Sequence, residues 1–180
     1  MKYSAVAGRY AKALLDVAID NKKEEEYKKL LTVVSRVYKD LKEFFDDPTI
    51  TSFKKHELMA KILRDSGIEI DEFFDNFLKI VFERKRQKYL PLMISLYEDM
   101  EIESKGMIPV EIISPYELSD DEREEIRKLV KKYTLREPRF REKIDESLIA
   151  GVKVEFKGMT YDISISGRIK KIARDVFGKG

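Results

Sequence analysis

The sequence predicts an α+β fold, a bundle of helices over residues 1–105 followed by a small α/β domain over 106–180. Three observations point there. Apolar residues recur at three- and four-residue spacing through the first hundred positions. Around Gly106 the period changes to two, with Ile108, Val110 and Ile112 alternating with Pro109, Glu111 and Ile113. Further on, Val152, Val154 and Phe156 alternate with Lys153, Glu155 and Lys157 before Gly158 turns the chain into a second short strand ending near Ile163.

Each helix has its own signals. Ser4 caps a first helix whose Val6, Tyr10, Leu14 and Val17 share one side. A second follows Asn21, with Tyr27, Leu30, Val34, Tyr38, Leu41 and Phe45 as one long stripe stopped at Asp46-Asp47-Pro48. A shorter helix from Ser52 carries Leu58, Met59, Ile62 and Leu63, and Gly67 suits its C-terminal cap. Asp71 opens the next, with Phe74, Phe77, Leu78 and Val81 on one side. The polar run Glu83–Lys88 interrupts the pattern. Pro91 then suits the first turn of a helix bearing Ile94, Tyr97 and Met100. Short connections between such helices favour antiparallel neighbours. In the second half, Ser119 and Glu122 form a capping box before Ile126, Leu129, Val130 and Tyr133. A last helix is expected to carry Ile165, Ile169, Ile172 and Val176.

Composition excludes several function classes. Lys+Arg 36 against Asp+Glu 34 leaves a net charge of +2, without the basic excess of a nucleic-acid binder. Without cysteine there is neither a disulfide framework nor a thiolate metal site. No apolar run approaches the roughly 18–20 residues of a membrane span. The start, Met1-Lys2-Tyr3-Ser4, leads straight into an amphipathic helix, which predicts a cytosolic chain reaching a membrane only through a partner. Charged residues reach 39%, while Gln87, Asn21 and Asn76 are the only side-chain amides, a heat-adapted composition.

No constellation resembles catalytic machinery. His56, the single histidine, lies between Lys55 and Glu57 and reads as a surface residue; a phosphorelay acceptor would need it exposed. The acidic clusters Glu24–Glu26, Asp46-Asp47 and Asp120–Glu122 suit helix termini better than a pair of carboxylates held across a cleft. Arg84–Lys88 lacks the interleaved aromatics of a nucleic-acid platform beyond Tyr89, and Gly158 and Gly167 belong to no phosphate-cradling loop. The first helix combines Ala5, Ala7, Ala11, Ala13 and Ala18 with larger apolar residues nearly all round. It is either buried in the core or part of a groove for a partner helix.

Three stretches carry a family resemblance: Val6-Ala-Gly-Arg-Tyr-Ala-Lys-Ala-Leu14, Asn76–Arg86 leading to Leu90-Pro-Leu-Met, and Asp145-x-Ser-Leu-Ile-x-Gly151 with Gly158 and Asp162-Ile-Ser. In this order and at these separations, over nearly the whole chain, they resemble the delta subunit of the bacterial ATP synthase, known in mitochondria as the oligomycin-sensitivity-conferring protein. Ala150, where the family often has a glycine, and Ile169, where leucine is usual, depart from the pattern.

The resemblance implies a non-catalytic stator subunit without cofactors, at the cytoplasmic face of the inner membrane. Such a subunit joins the catalytic head to the peripheral stalk so that the head does not turn with the rotor. It implies an N-terminal six-helix bundle receiving the N-terminal helix of an alpha subunit between the first and fifth helices. Carried over, that groove comprises Ala7, Tyr10, Ala11 and Leu14 with Phe77, Ile80, Val81 and Arg84. The C-terminal domain, with a short sheet and two helices, would meet the C-terminal helices of the b subunits. Asp145, Ser147, Gly151, Gly158 and Asp162 form a structural signature there, suited to turns and caps. The residues alone leave open a two-domain scaffold with a helix-binding groove.

Overall fold

The computed structural model describes residues 4–148 and 151–162. It contains seven α-helices and a four-stranded sheet among these residues. The chain divides into two compact units, 1–101 and 102–180. The division falls within the helix Leu90–Ser104.

Unit 1 holds α1 (Ala5–Asp20), α2 (Glu24–Asp40), α3 (Lys42–Asp46), α4 (Ser52–Asp65), α5 (Glu72–Glu83), a 3-10 turn at Gln87–Tyr89 and most of α6 (Leu90–Ser104). Their inward faces meet in one core built on Leu14, Leu31, Phe45, Met59, Phe74, Leu78, Phe82, Leu90 and Tyr97. Gly67 ends α4 at φ +72°, where an added Cβ would touch nothing, so its role is the left-handed turn itself. The long stripe expected to run unbroken through Phe45 is two helices. Leu41, 40% exposed, breaks it, and its N–H still donates to Val37 O. The change of direction brings Phe45 onto Phe82, the rings stacked 5.5 Å apart, and lets Gln87 Nε2 donate to Phe45 O at 2.9 Å. Tertiary packing overrides an uninterrupted periodicity here.

Asp71 ties the start of α5 to the start of α2. Its carboxylate accepts from Phe74 N–H at 2.9 Å, Tyr27 Oη at 2.7 Å and Lys23 Nζ at 2.9 Å. Burial alone would raise this carboxyl; the bonds from Lys23, Phe74 N–H and Tyr27 outweigh it and hold Asp71 below the usual carboxylate range. A depressed folded-state pKa gives stability that is present above the unfolded value of ~4 and lost as pH falls through the folded one. Asp71→Asn retains a capping oxygen but not the charge. It is expected to cost about 1–3 kcal/mol near pH 7. In acid denaturation curves that difference should shrink as pH falls below ~4; an offset unchanged through that fall would show that the charge contributes nothing.

Unit 2 begins within α6 and contains β1 (Ile108–Ser114), α7 (Asp120–Thr134), β2 (Pro138–Ile144), β3 (Lys153–Phe156) and β4 (Met159–Asp162). The sheet order is β2-β1-β3-β4. β1 runs parallel to β2 from Ile108↔Pro138 to Ser114↔Ile144, with α7 as the long connection such a pair requires. β3 is antiparallel to both β1 and β4. Ile108, Val110 and Ile112 turn inward with Val154 and Phe156 against Ile126 and Val130. The capping box is formed: Glu122 N–H donates to Ser119 Oγ and Ser119 N–H to Glu122 Oε2.

β2 was not anticipated. Its alternation is hidden because Glu142 stands where an apolar residue would complete Pro138, Phe140 and Ile144, and Arg139, Arg141 and Lys143 fill the other face. Such charge is usual on an edge strand, where it discourages pairing with another chain. The expected last helix, together with Ala150 and Ile169, lies outside the described residues.

Candidate functional site: a groove between α1 and α5

α1 and α5 pack side by side in unit 1. Asp71, at the head of α5, binds Lys23 and Tyr27 just beyond the tail of α1, so the two helices run antiparallel. Ser4 and Asp71 cap their first turns, accepting from Ala7 N–H and Phe74 N–H.

Small residues make the close approach possible. Ala7, Ala11 and Ala18 are fully buried along the inner line of α1, with Leu14 and Leu15 beside them. α5 answers with Phe74, Leu78, Val81 and Phe82. Beside each buried line runs a second apolar one. At helical spacing Val6, Tyr10, Ala13 and Val17 share one strip of α1, and Phe73, Phe77, Ile80 and Arg84 share one strip of α5. The strips adjoin, because the Tyr10 ring meets the Phe77 ring edge-on at 6.4 Å. Together they form one stretch of apolar surface along the α1/α5 seam, the candidate trough, with Phe73 56% and Ile80 48% exposed and Arg84 at one end.

The eight groove residues named from the sequence therefore separate into two groups. Ala7, Ala11, Leu14 and Val81 lie in the core beneath the trough. Tyr10 and Phe77 are half-buried along it, while Ile80 and Arg84 are exposed. Phe73, Val6 and Val17 were missed. Phe73 was legible as the residue one turn before Phe77 on the line leading to Ile80 and Arg84.

The other candidates are elsewhere. His56 is not the surface residue expected: its side chain is 14% exposed and Nε2 lies 2.7 Å from Asp75 Oδ1, whose second oxygen takes Lys79 Nζ at 2.7 Å. Burial would raise the Asp75 carboxyl, but Lys79 and His56 together lower it. The pair ties α4 to α5 and leaves no exposed acceptor nitrogen at Nε2. In unit 2, Asp145 Oδ1 accepts from Ser147 N–H at 3.1 Å and Ser147 Oγ at 2.6 Å, while Asp145 N–H donates to Ser114 O. Gly151 and Gly158 adopt φ +109° and +72°, and Asp162 ends β4 opposite Lys153. Among the described residues no group of histidines and carboxylates could hold a metal ion, and no helix is long and apolar enough to cross a membrane.

Adjoining apolar strips on two packed antiparallel helices are a surface of the kind that binds another protein. Residues 6–176 match the family model for the ATP synthase delta (OSCP) subunit. The chain is 47% identical over 176 residues to the ATP synthase subunit delta of Pseudothermotoga lettingae, covering 98% of this chain and 97% of that one. It is 46% identical to that of Thermotoga maritima, covering 100% and 98%. At 20% identity it shares the fold of a chain in the cryo-EM structure of the Toxoplasma gondii mitochondrial ATP synthase hexamer, with a TM-score of 0.63 over 97% of this chain and 98% of that one. The chain belongs to the ATP synthase delta (OSCP) family, the non-catalytic subunits of the peripheral stalk. Its heat-adapted composition accords with relatives from Thermotoga.

Proposed function

We propose that the chain joins the catalytic head to the peripheral stalk through two separate surfaces. Residues 1–105, taken as the family's six-helix bundle, receive the N-terminal helix of an alpha subunit in the α1/α5 trough. Residues 106–180 meet the C-terminal helices of the b subunits. The chain then works at the cytoplasmic face of the inner membrane, held there by its complex.

The observation that carries the first interface is the apolar line of exposed Phe73 and Ile80 with half-buried Phe77 between them, beside Val6 and Tyr10. Scattered surface leucines need no explanation, but adjoining apolar strips on two packed helices match the i, i+3, i+4, i+7 anchors of an amphipathic helix. A stator must also dissociate slowly, and a nanomolar Kd corresponds to about 12 kcal/mol. A few desolvated aromatic and aliphatic anchors can supply much of that.

The test is calorimetric titration of the full chain with a peptide of about 20 residues from the start of the cognate alpha subunit. One-to-one binding with a negative heat-capacity change is expected. No heat of binding at ~100 μM peptide, a concentration far above the expected Kd, would reject the trough as the alpha site.

A further inference from the structure

We propose that the turn joining α7 to β2, through Lys128, Lys132, Leu135 and Arg136, docks the C-terminal end of a b-subunit helix. This rests on the reading above that the second half meets the b subunits, and adds where and by what chemistry.

Charge is the first observation. The whole chain carries a net charge of +2, yet residues 127–143 hold eight basic and two acidic side chains. Several of the cations are neutralised within the fold: Arg127 and Lys131 share Glu137, and Lys143 pairs with Glu111. Lys128, Lys132 and Arg136 have no ionic partner among the described residues and are exposed. Cations near a helix C-terminus often only complement the helix dipole, and Lys131 and Lys132 occupy that last turn. Lys128 precedes it and Arg136 follows the helix, so the dipole does not account for the cluster.

Leu135 is the second, independent observation. It is 92% exposed and stands at φ +57°, the left-handed position after α7 where glycine is the usual residue. A leucine there is unfavourable to the isolated chain twice, through backbone strain and through apolar surface in water. By helical spacing it continues the line of Lys128 and Lys132. The turn is also pinned: Leu135 N–H donates to Lys131 O, Thr134 Oγ1 to Val130 O, and Ile108 N–H to Glu137 O. An apolar anchor ringed by unpaired cations is thus held ready before any partner arrives.

The C-terminal end of a helix offers matching chemistry. It carries the negative end of its dipole and, at a chain end, a carboxylate. A membrane surface would also attract the cations, but it is held by broad apolar faces or several anchors, and this turn presents one leucine in a fixed conformation.

The experiment uses the full chain and an immobilised peptide of the last ~25 residues (seven helical turns) of the cognate b subunit, with a free carboxylate. Leu135→Gly should raise the melting temperature yet weaken binding about tenfold or more. The triple variant Lys128→Glu/Lys132→Glu/Arg136→Glu should lose binding more completely and flatten its salt dependence. Both variants should keep the wild-type circular-dichroism spectrum and a cooperative melt of the second half, which certifies its fold, and should bind the alpha peptide as wild type does. If wild type binds the b peptide and neither variant changes affinity or salt slope, the inference falls while the stator reading stands. If wild type does not bind it at all, the assignment of the second half falls and takes the inference with it. Binding of wild type to phosphatidylserine-containing vesicles, undiminished by the b peptide and lost in the triple variant, would replace the partner by a lipid surface and overturn the proposal.

Discussion

Phe45→Ala is expected to destabilise the chain by ~3–5 kcal/mol, a large part of the 5–15 kcal/mol that holds a typical domain. Phe45 is fully buried although its helix has only five residues. Its ring stacks on Phe82 and meets Tyr38 at 6.3 Å and Phe44 at 5.5 Å. Truncation therefore opens a cavity among three aromatic rings that cannot easily collapse. A second cost follows from the backbone, because Phe45 O accepts from buried Gln87, whose Oε1 has no partner of its own. If α3 shifts to fill the cavity, Gln87 loses the one bond that satisfies it. In thermal melts the midpoint should fall on the order of 10 °C. Phe53→Ala, at a position 70% exposed, is the control and should leave the midpoint within a degree or two. A Phe45→Ala protein within about 1 kcal/mol of wild type would mean that α3 is peripheral.

The importance of α3 could not be read from the sequence, and the reason is physical. Tyr27, Leu30, Val34, Tyr38, Leu41 and Phe45 keep a helical period, and no glycine or proline marks the break at Leu41. Only the distant Phe82 and Gln87 require it. Capped elements were more legible. Ser4, Thr51, Asp71 and Ser119 each accept from a backbone N–H three residues on, local chemistry that needs no tertiary knowledge. β1 and β3 were visible because one face is buried, whereas β2 carries the composition of an exposed edge.

The candidate trough was half legible for a related reason. Spacing and family likeness indicate which helices form it. They do not tell which of two adjoining apolar lines faces inward, and Ala7, Ala11, Leu14 and Val81 proved to lie on the buried one. His56 shows the same limit: the carboxylate it contacts, Asp75, lies nineteen residues away.

Ile80→Glu should separate binding from folding. Ile80 is 48% exposed in the free chain, so the substitution leaves no cavity and buries no charge. Its effect on the denaturation midpoint should correspond to less than ~0.5 kcal/mol. Once an amphipathic helix covers the trough, the same glutamate is desolvated without a partner beside Phe73 and Phe77. A loss of at least ~2 kcal/mol, roughly thirtyfold in Kd for the alpha peptide, is then expected. Tyr10→Ala should behave differently, since Tyr10 is half-buried against Phe77 and serves both roles; it should lose stability and binding together. Leu14→Ala marks the opposite limit. At 3% exposure it should cost ~2–5 kcal/mol of stability, and the fraction that remains folded should bind the peptide at near wild-type affinity. This ordering depends on the trough being open in the free chain and covered in the complex. Unchanged peptide affinity in Ile80→Glu would place the alpha helix elsewhere on unit 1, whatever the stability of the other two variants.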